Sequence, residues 1–234
     1  MTRSLRTTRF VLLLSVALLH TPFAAAGNPN MAKIAKTTKG LSVAIVSLAA
    51  NNFGGSLQGW NTAITSDLMK SRMEKMLAFS DEAFGKHWEV IPVADYIDNP
   101  DYLEQAGPDR EVGVPYVNDR AMPLMADDRG ELVKCRISPE KAKALTKATG
   151  ADLVVLIYSE WAVATGGFVP TSKPLTKNVV GIFDAAGKSI YKGRLDQMGK
   201  KTLGMSGLVT VDDNTIDHWV EAYQTALGAM LGVK

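Results

Sequence analysis

The stretch VAIVSLAANNFGGSLQGWNTAITSDLM, residues 43–69, sets the terms for the whole chain. An apolar run ends in a glycine-rich turn, and a helical pattern follows. The run LSVAIVSLAA, residues 41–50, suits a buried strand. Beyond the turn, Ile64, Leu68, Met73, Met76 and Leu77 recur at helical spacing, with Asn61 or Thr62 available as a cap. Gly54 and Gly59 have the G-x-x-x-x-G spacing of a phosphate-binding loop. That chemistry needs a Lys after the second Gly to reach the phosphates and a Ser/Thr hydroxyl for magnesium. Trp60 and Asn61 stand there instead, so the glycines are assigned to a tight strand-to-helix turn.

Outward from this unit, HWEVIPVADY follows a break at Gly85-Lys86 and is expected to form a second strand. Residues 98–137 hold Pro100, Pro108, Pro115 and Pro123 without sustained periodicity, as in a long irregular insertion with a short helix or hairpin. SPEKAKALTKATG, residues 138–150, is punctuated as a helix: Ser138 caps, Pro139 takes the first position and Gly150 ends it. ADLVVLIYSEWAVAT is the most hydrophobic strand and is expected at the centre of a sheet. Gly166-Gly167 and VPTSKP should break the chain. Residues 178–197 predict a hairpin turning at Ala185 to Lys188, and residues 199–211 a glycine-rich loop. Ile216, Trp219, Val220, Tyr223, Leu227 and Leu231 line one side of a closing helix. The order β-α-β-α-β-β-β-α predicts an α/β protein, bordering on α+β. It is a mixed sheet with helices packed on it, one domain over 41–234 with a long insertion.

The N-terminus has the form of a secretory signal peptide over residues 1–26. Arg3, Arg6 and Arg9 precede an apolar run of about ten residues, and Ala24-Ala25-Ala26 supply the small side chains for cleavage. That run is too short to span a bilayer, which takes roughly 20 residues, and no later run approaches this length. Residues 27–40 are expected as a linker. The chain has 26 Lys+Arg against 24 Asp+Glu; the leader carries three arginines and no acid, leaving 23 against 24. A mature chain near −1 without a basic patch argues against nucleic acid as partner. Cys135 is the only cysteine, so no internal disulfide is available and none stands near the cleavage site for lipid attachment. The expected location is periplasmic or secreted.

Several motifs bear on catalysis. Ser138-Pro-Glu-Lys141 is S-x-x-K, the nucleophile motif of penicillin-recognising enzymes, but K-T-G is met only by Lys201-Thr202-Leu203-Gly204, one residue too long. A helix cap explains Ser138 better. Gly204-Met205-Ser206-Gly207 does not meet G-x-S-x-G. His87 and His218, the histidines outside the leader, have no neighbour at ligand spacing. Asp212-Asp213-Asn214 with Asp217 lacks the alternation and terminal Glu of an EF-hand, and helix N-termini attract acids in any case. Neither a cofactor nor a metal is expected. Trp88, Trp161 and Trp219 fit the core, whereas Trp60 could anchor a partner.

The pattern resembles the small α/β domain shared by the TolB N-terminal domain, CsgG-type secretion lipoproteins and LpoB-type activators of penicillin-binding proteins. SVAIVSLAANNFGGSLQGWNTAITSDLMKSRMEKM resembles that family's opening strand, loop and helix, and HWEVIPVADY its second strand. GADLVVLIYSEWAV is similar to its central strand, and VVGIFDAAGKSIYKGR to its hairpin. Two features depart from the pattern: several members carry a lipid-bearing cysteine, and residues 98–137 exceed the usual connection. The resemblance implies a non-enzymatic envelope protein that docks onto other envelope proteins or cell-wall assembly machinery. The expected contact surface joins the first loop, with Phe53, Gly54, Gly55 and Trp60, to the insertion, with Tyr102 and Tyr116. The alternatives are an exported serine hydrolase using Ser138 and Lys141, or a small-ligand carrier with its pocket between sheet and insertion.

Overall fold

The computed structural model describes residues 29–51, 61–62, 66–166, 170–205 and 209–233. Helix α1 (Pro29–Thr37) occupies the stretch expected as a linker, because Met31 and Ala35 give it an apolar face that is buried. Strand β1 (Ser42–Asn51) follows, buried on both faces from Val43 to Ala50 as its continuous apolar run requires. Strand β2 (Asn61–Thr62) and the long helix α2 (Ser66–Gly85) come next. Of HWEVIPVADY only β3 (Glu89–Val90) is strand; Pro92 ends it, and Val93–Asp95 form a 3₁₀ turn.

The insertion is ordered around short elements. They are α3 (Pro100–Leu103), β4 (Val112–Gly113), the hairpin of β5 (Tyr116–Val117) with β6 (Arg120–Ala121), and α4 (Arg129–Leu132). Met122, Leu124, Met125, Ala126 and Leu132 enter the main core, so these residues complete the domain. Helix α5 (Pro139–Thr149) starts and stops where its punctuation says: the Ser138 Oγ accepts from the Lys141 backbone N at 3.1 Å, and Gly150 closes the other end.

Strands β7 (Leu153–Gly166), β8 (Thr171–Asp184) and β9 (Ser189–Met198) form an antiparallel meander. The turn at 184–188 is closed by the Asp184 carboxylate, which accepts from the Ala186 and Lys188 backbone N at 3.0 and 2.9 Å. Gly187 there has φ +79°, and a Cβ on it would lie 2.3 Å from the Pro139 carbonyl oxygen. Contrary to the expected break, Thr171 to Pro174 belong to β8. The Pro174 carbonyl accepts from Gly199 N at 2.8 Å, on the side away from β7, so the missing N–H removes nothing from the β7–β8 ladder. Strands β10 (Gly204–Met205) and β11 (Thr210–Val211) and the closing helix α6 (Asp217–Leu231) complete the chain.

The result is the expected mixed sheet with helices packed on it. Its path runs β10-β8-β7-β1-β3, with β9 also on β8 and β4 also on β1; β2 and β11 pair separately. β1 is parallel to β3 and β7. Right-handed crossovers then set α2 and α5 on opposite faces. The alternation of β7 agrees: Trp161 stacks on Trp219 of α6, with ring centroids 6.4 Å apart, while Tyr158 and Glu160 point to the face holding α4.

Strands β3 and β4 pair only with the two ends of β1, at 42–43 and 50–51. Between them β1 is bulged: Ile45 pairs with Val155 and Ser47 with Leu156, leaving Val46 without a partner residue in β7. Two buried phenols meet this irregularity. Tyr96 donates to the Ile45 carbonyl at 2.8 Å and Tyr102 to that of Val46 at 2.9 Å, the rings edge-on at 5.0 Å.

Candidate functional site

At the carboxyl end of β1 a cleft of about 640 Å³ opens between the sheet and the insertion. The sheet contributes Asn51, Tyr158 and Glu160; the insertion contributes residues 109–112 and, around α4, Arg129, Leu132 and Val133. Each wall has a local cause. The Asn51 carboxamide exchanges two hydrogen bonds with the backbone of Trp161, accepting from its N and donating to its carbonyl at 3.0 Å. It thereby extends the β1–β7 ladder by a side chain. Helix α4 is set by Asp128, whose carboxylate caps it by accepting from Glu131 N at 2.8 Å. The 109–112 segment is held by Arg110, whose guanidinium donates to the Asp127 carbonyl at 3.0 Å, and by the pairing of Val112 with Asn51.

The cleft carries both signs of charge around an apolar strip of Val112, Leu132 and Val133. Glu160 is neutralised by Lys177 at 2.7 Å on the neighbouring strand. Tyr158 is 95% buried, and its hydroxyl makes no hydrogen bond among the described residues. Burial raises the Tyr158 phenol above its ordinary value, Glu160 raises it further, and Arg129 works the other way. The group is a neutral donor at any ordinary pH.

Of the residues expected at a contact surface, the two described ones, Tyr102 and Tyr116, do not line the cleft. Phe53, Gly54, Gly55 and Trp60 lie outside the described residues. Tyr102 is fully buried with its hydroxyl spent on Val46, which corrects its assignment as a surface anchor: it is a core residue fastening the insertion to β1. Tyr116 is 38% exposed beneath the Lys70 ammonium, 4.4 Å from the ring centroid, and does not line the cleft. Trp88, Trp161 and Trp219 are core residues.

The Ser138 hydroxyl and the Lys141 ammonium share no hydrogen bond among the described residues. Ser138 caps α5, while the Lys141 ammonium donates to the Met125 carbonyl at 3.0 Å and to the Asp127 carboxylate. His87 meets the Leu231 carbonyl at 2.7 Å, and Asp212 accepts from the backbone of Asn214 and Thr215 at 3.0 Å. Cys135 is buried, its thiol donating to the Val179 carbonyl at 3.2 Å and pushed by burial up to about 12. Among the described residues, no three His, Cys, Asp or Glu side chains form a group that could hold a metal ion, and no helix is long and apolar enough to cross a membrane.

Only the small-ligand alternative set a pocket between sheet and insertion, and it named none of these residues. Asn51, Arg110, Arg129 and Tyr158 come from four separated segments, and no spacing links them.

No family model matches the chain, and no curated protein matches it. Among solved structures, it is similar to the lipoprotein GNA1162 from Neisseria meningitidis, at 12% identity over 71% of this chain and 84% of that one, with a TM-score of 0.37. It is also similar to the hypothetical protein CT253 from Chlamydia trachomatis, at 18% identity over 83% and 94% of the two chains, again with a TM-score of 0.37.

Proposed function

We propose that this chain is an exported, non-enzymatic protein that binds or helps to assemble other components of the cell envelope, in the manner of the TolB-N, CsgG-like and LpoB-type domains it resembles in sequence pattern. The observation that carries this reading is the cleft at the end of β1, a concave surface of mixed charge with an apolar strip, suited to recognition. Export rests on the form of residues 1–26, and the periplasm is the compartment it favours. The non-enzymatic part is supported by Lys141, which is engaged by Asp127 and so is not poised to activate Ser138. Carriage of a small ligand is a second reading, favoured by the cleft's volume.

Photocrosslinking in intact cells tests the proposal. A crosslinker at Val133, in the cleft, should give a discrete larger species that is absent from a crosslinker at Glu82, exposed on α2. Monomer alone at Val133, or the same species from both positions, would overturn it. So would labelling by a penicillin or fluorophosphonate probe that disappears in Ser138→Ala.

A further inference from the structure

We infer that the cleft binds the carboxylate of an amino acid or a peptide end, with Tyr158 and Arg129 as donors and Glu111 and Asp109 at the rim facing the ligand's ammonium group. This rests on the reading that the cleft is the protein's contact site.

Buried polar groups are almost always hydrogen-bonded, so one left open needs a reason. One such atom, the Arg110 Nε, and one open donor, the Tyr158 hydroxyl, stand on the lining of one cleft. The Tyr158 hydroxyl has no partner among the described residues although its side chain is buried, and the Arg110 Nε is buried without an acceptor. Beside them the Arg129 guanidinium makes no hydrogen bond or ion pair among the described residues, although it lies near enough to act on the Tyr158 phenol. All three are donors. A planar carboxylate accepts from a guanidinium and a phenol at once, and such charge-assisted bonds are the strong ones.

The remaining charges narrow the ligand class. Asp109 and Glu111 have no cationic partner among the described residues, while Glu160 is already satisfied by Lys177. Two open carboxylates at the rim repel a dianion such as phosphate and attract a ligand that carries a cation beside its carboxylate. A zwitterion meets both demands. Val112, Leu132 and Val133 offer contact to small apolar side chains between the two ends, and about 640 Å³ accommodates a short peptide.

Calorimetry on the purified mature chain, with trialanine, its C-terminal amide, alanine and inorganic phosphate, tests the inference. Trialanine should bind, and the amide about tenfold more weakly or worse, as loss of a charge-assisted bond predicts. Alanine binding as tightly as trialanine would make the free amino acid the ligand; tighter trialanine would make it a peptide end. Tyr158→Phe should weaken trialanine about tenfold with an unchanged Tm, since the hydroxyl has no bond to lose in the free protein. Arg129→Gln should do the same, and phosphate should not compete. Equal affinity for acid and amide, no binding at millimolar concentration, or full affinity in Tyr158→Phe would overturn it. Crosslinks from Val133 without carboxylate binding would refute this inference and leave the partner-binding reading intact; carboxylate binding without crosslinks would do the reverse.

Discussion

Replacing Tyr102 by phenylalanine removes one oxygen atom from the core, and its consequence follows from the bulge in β1. Val46 has no partner residue in β7, and its carbonyl is served by the Tyr102 hydroxyl at 2.9 Å inside a fully buried site. The ring remains in Tyr102→Phe, so packing against Tyr96 is retained and the loss is that of the donor. A buried carbonyl left without its donor costs about 1–3 kcal/mol. For a chain of this size about 2 kcal/mol corresponds to a fall in Tm of roughly 4–8 °C. Thermal unfolding by circular dichroism reads the shift, and urea titration with an unchanged slope confirms that stability alone has moved. Burial pushes both phenols well above their ordinary value, so the hydroxyls stay protonated and the loss should be the same from pH 5 to 9. Tyr96→Phe should cost a similar amount, and the double variant should depart from the sum because the rings touch. A Tm change below about 1 °C in Tyr102→Phe would refute the view that these phenols complete the bulged strand.

Two further outcomes follow from other positions. Asp81 is raised from 3.8 to about 6 by burial, and its Oδ1 is buried without a partner. A carboxyl whose pKa rises on folding burdens the folded state above pH 6 and ceases to do so as pH falls toward 3.8. Asp81→Asn should therefore raise stability at pH 8 by on the order of 1 kcal/mol, after discounting for its partial exposure, with the gain gone at pH 3.5 in parallel melts. At Gly181 a Cβ would lie 2.5 Å from the Cys135 carbonyl oxygen, backbone that cannot swing aside. Gly181→Ala should cost about 3 kcal/mol in urea unfolding, through the seam between β8 and the segment before α5.

The elements with local signals were legible in the chain. Ser138-Pro139 and Gly150 bound a helix through capping chemistry that needs no distant partner, and the 178–197 hairpin carries its own turn. The insertion was not legible in this way. Its short elements take their burial from β1 and β7, far away in sequence, so Tyr102 among prolines and acids gives no sign of being a core residue. Pro174 misled for a related reason: whether a proline breaks a strand depends on which side its nitrogen faces, which only the sheet decides. The α1 helix did carry a signal, Met31, Ile34 and Ala35 at helical spacing, in a segment short enough to pass for a linker. The cleft's place was named only in the small-ligand alternative, and its donors could not be, because they meet through the fold.

Asn51 has a consequence for how the domain keeps its register. Because its amide grips the Trp161 backbone from both sides, the parallel half of the sheet ends at a fixed mark, and β7 and β8 continue past it as a ribbon. A latch at that mark uncouples what precedes it from what comes after. The register of the core is thus held by one side chain at the end of β1.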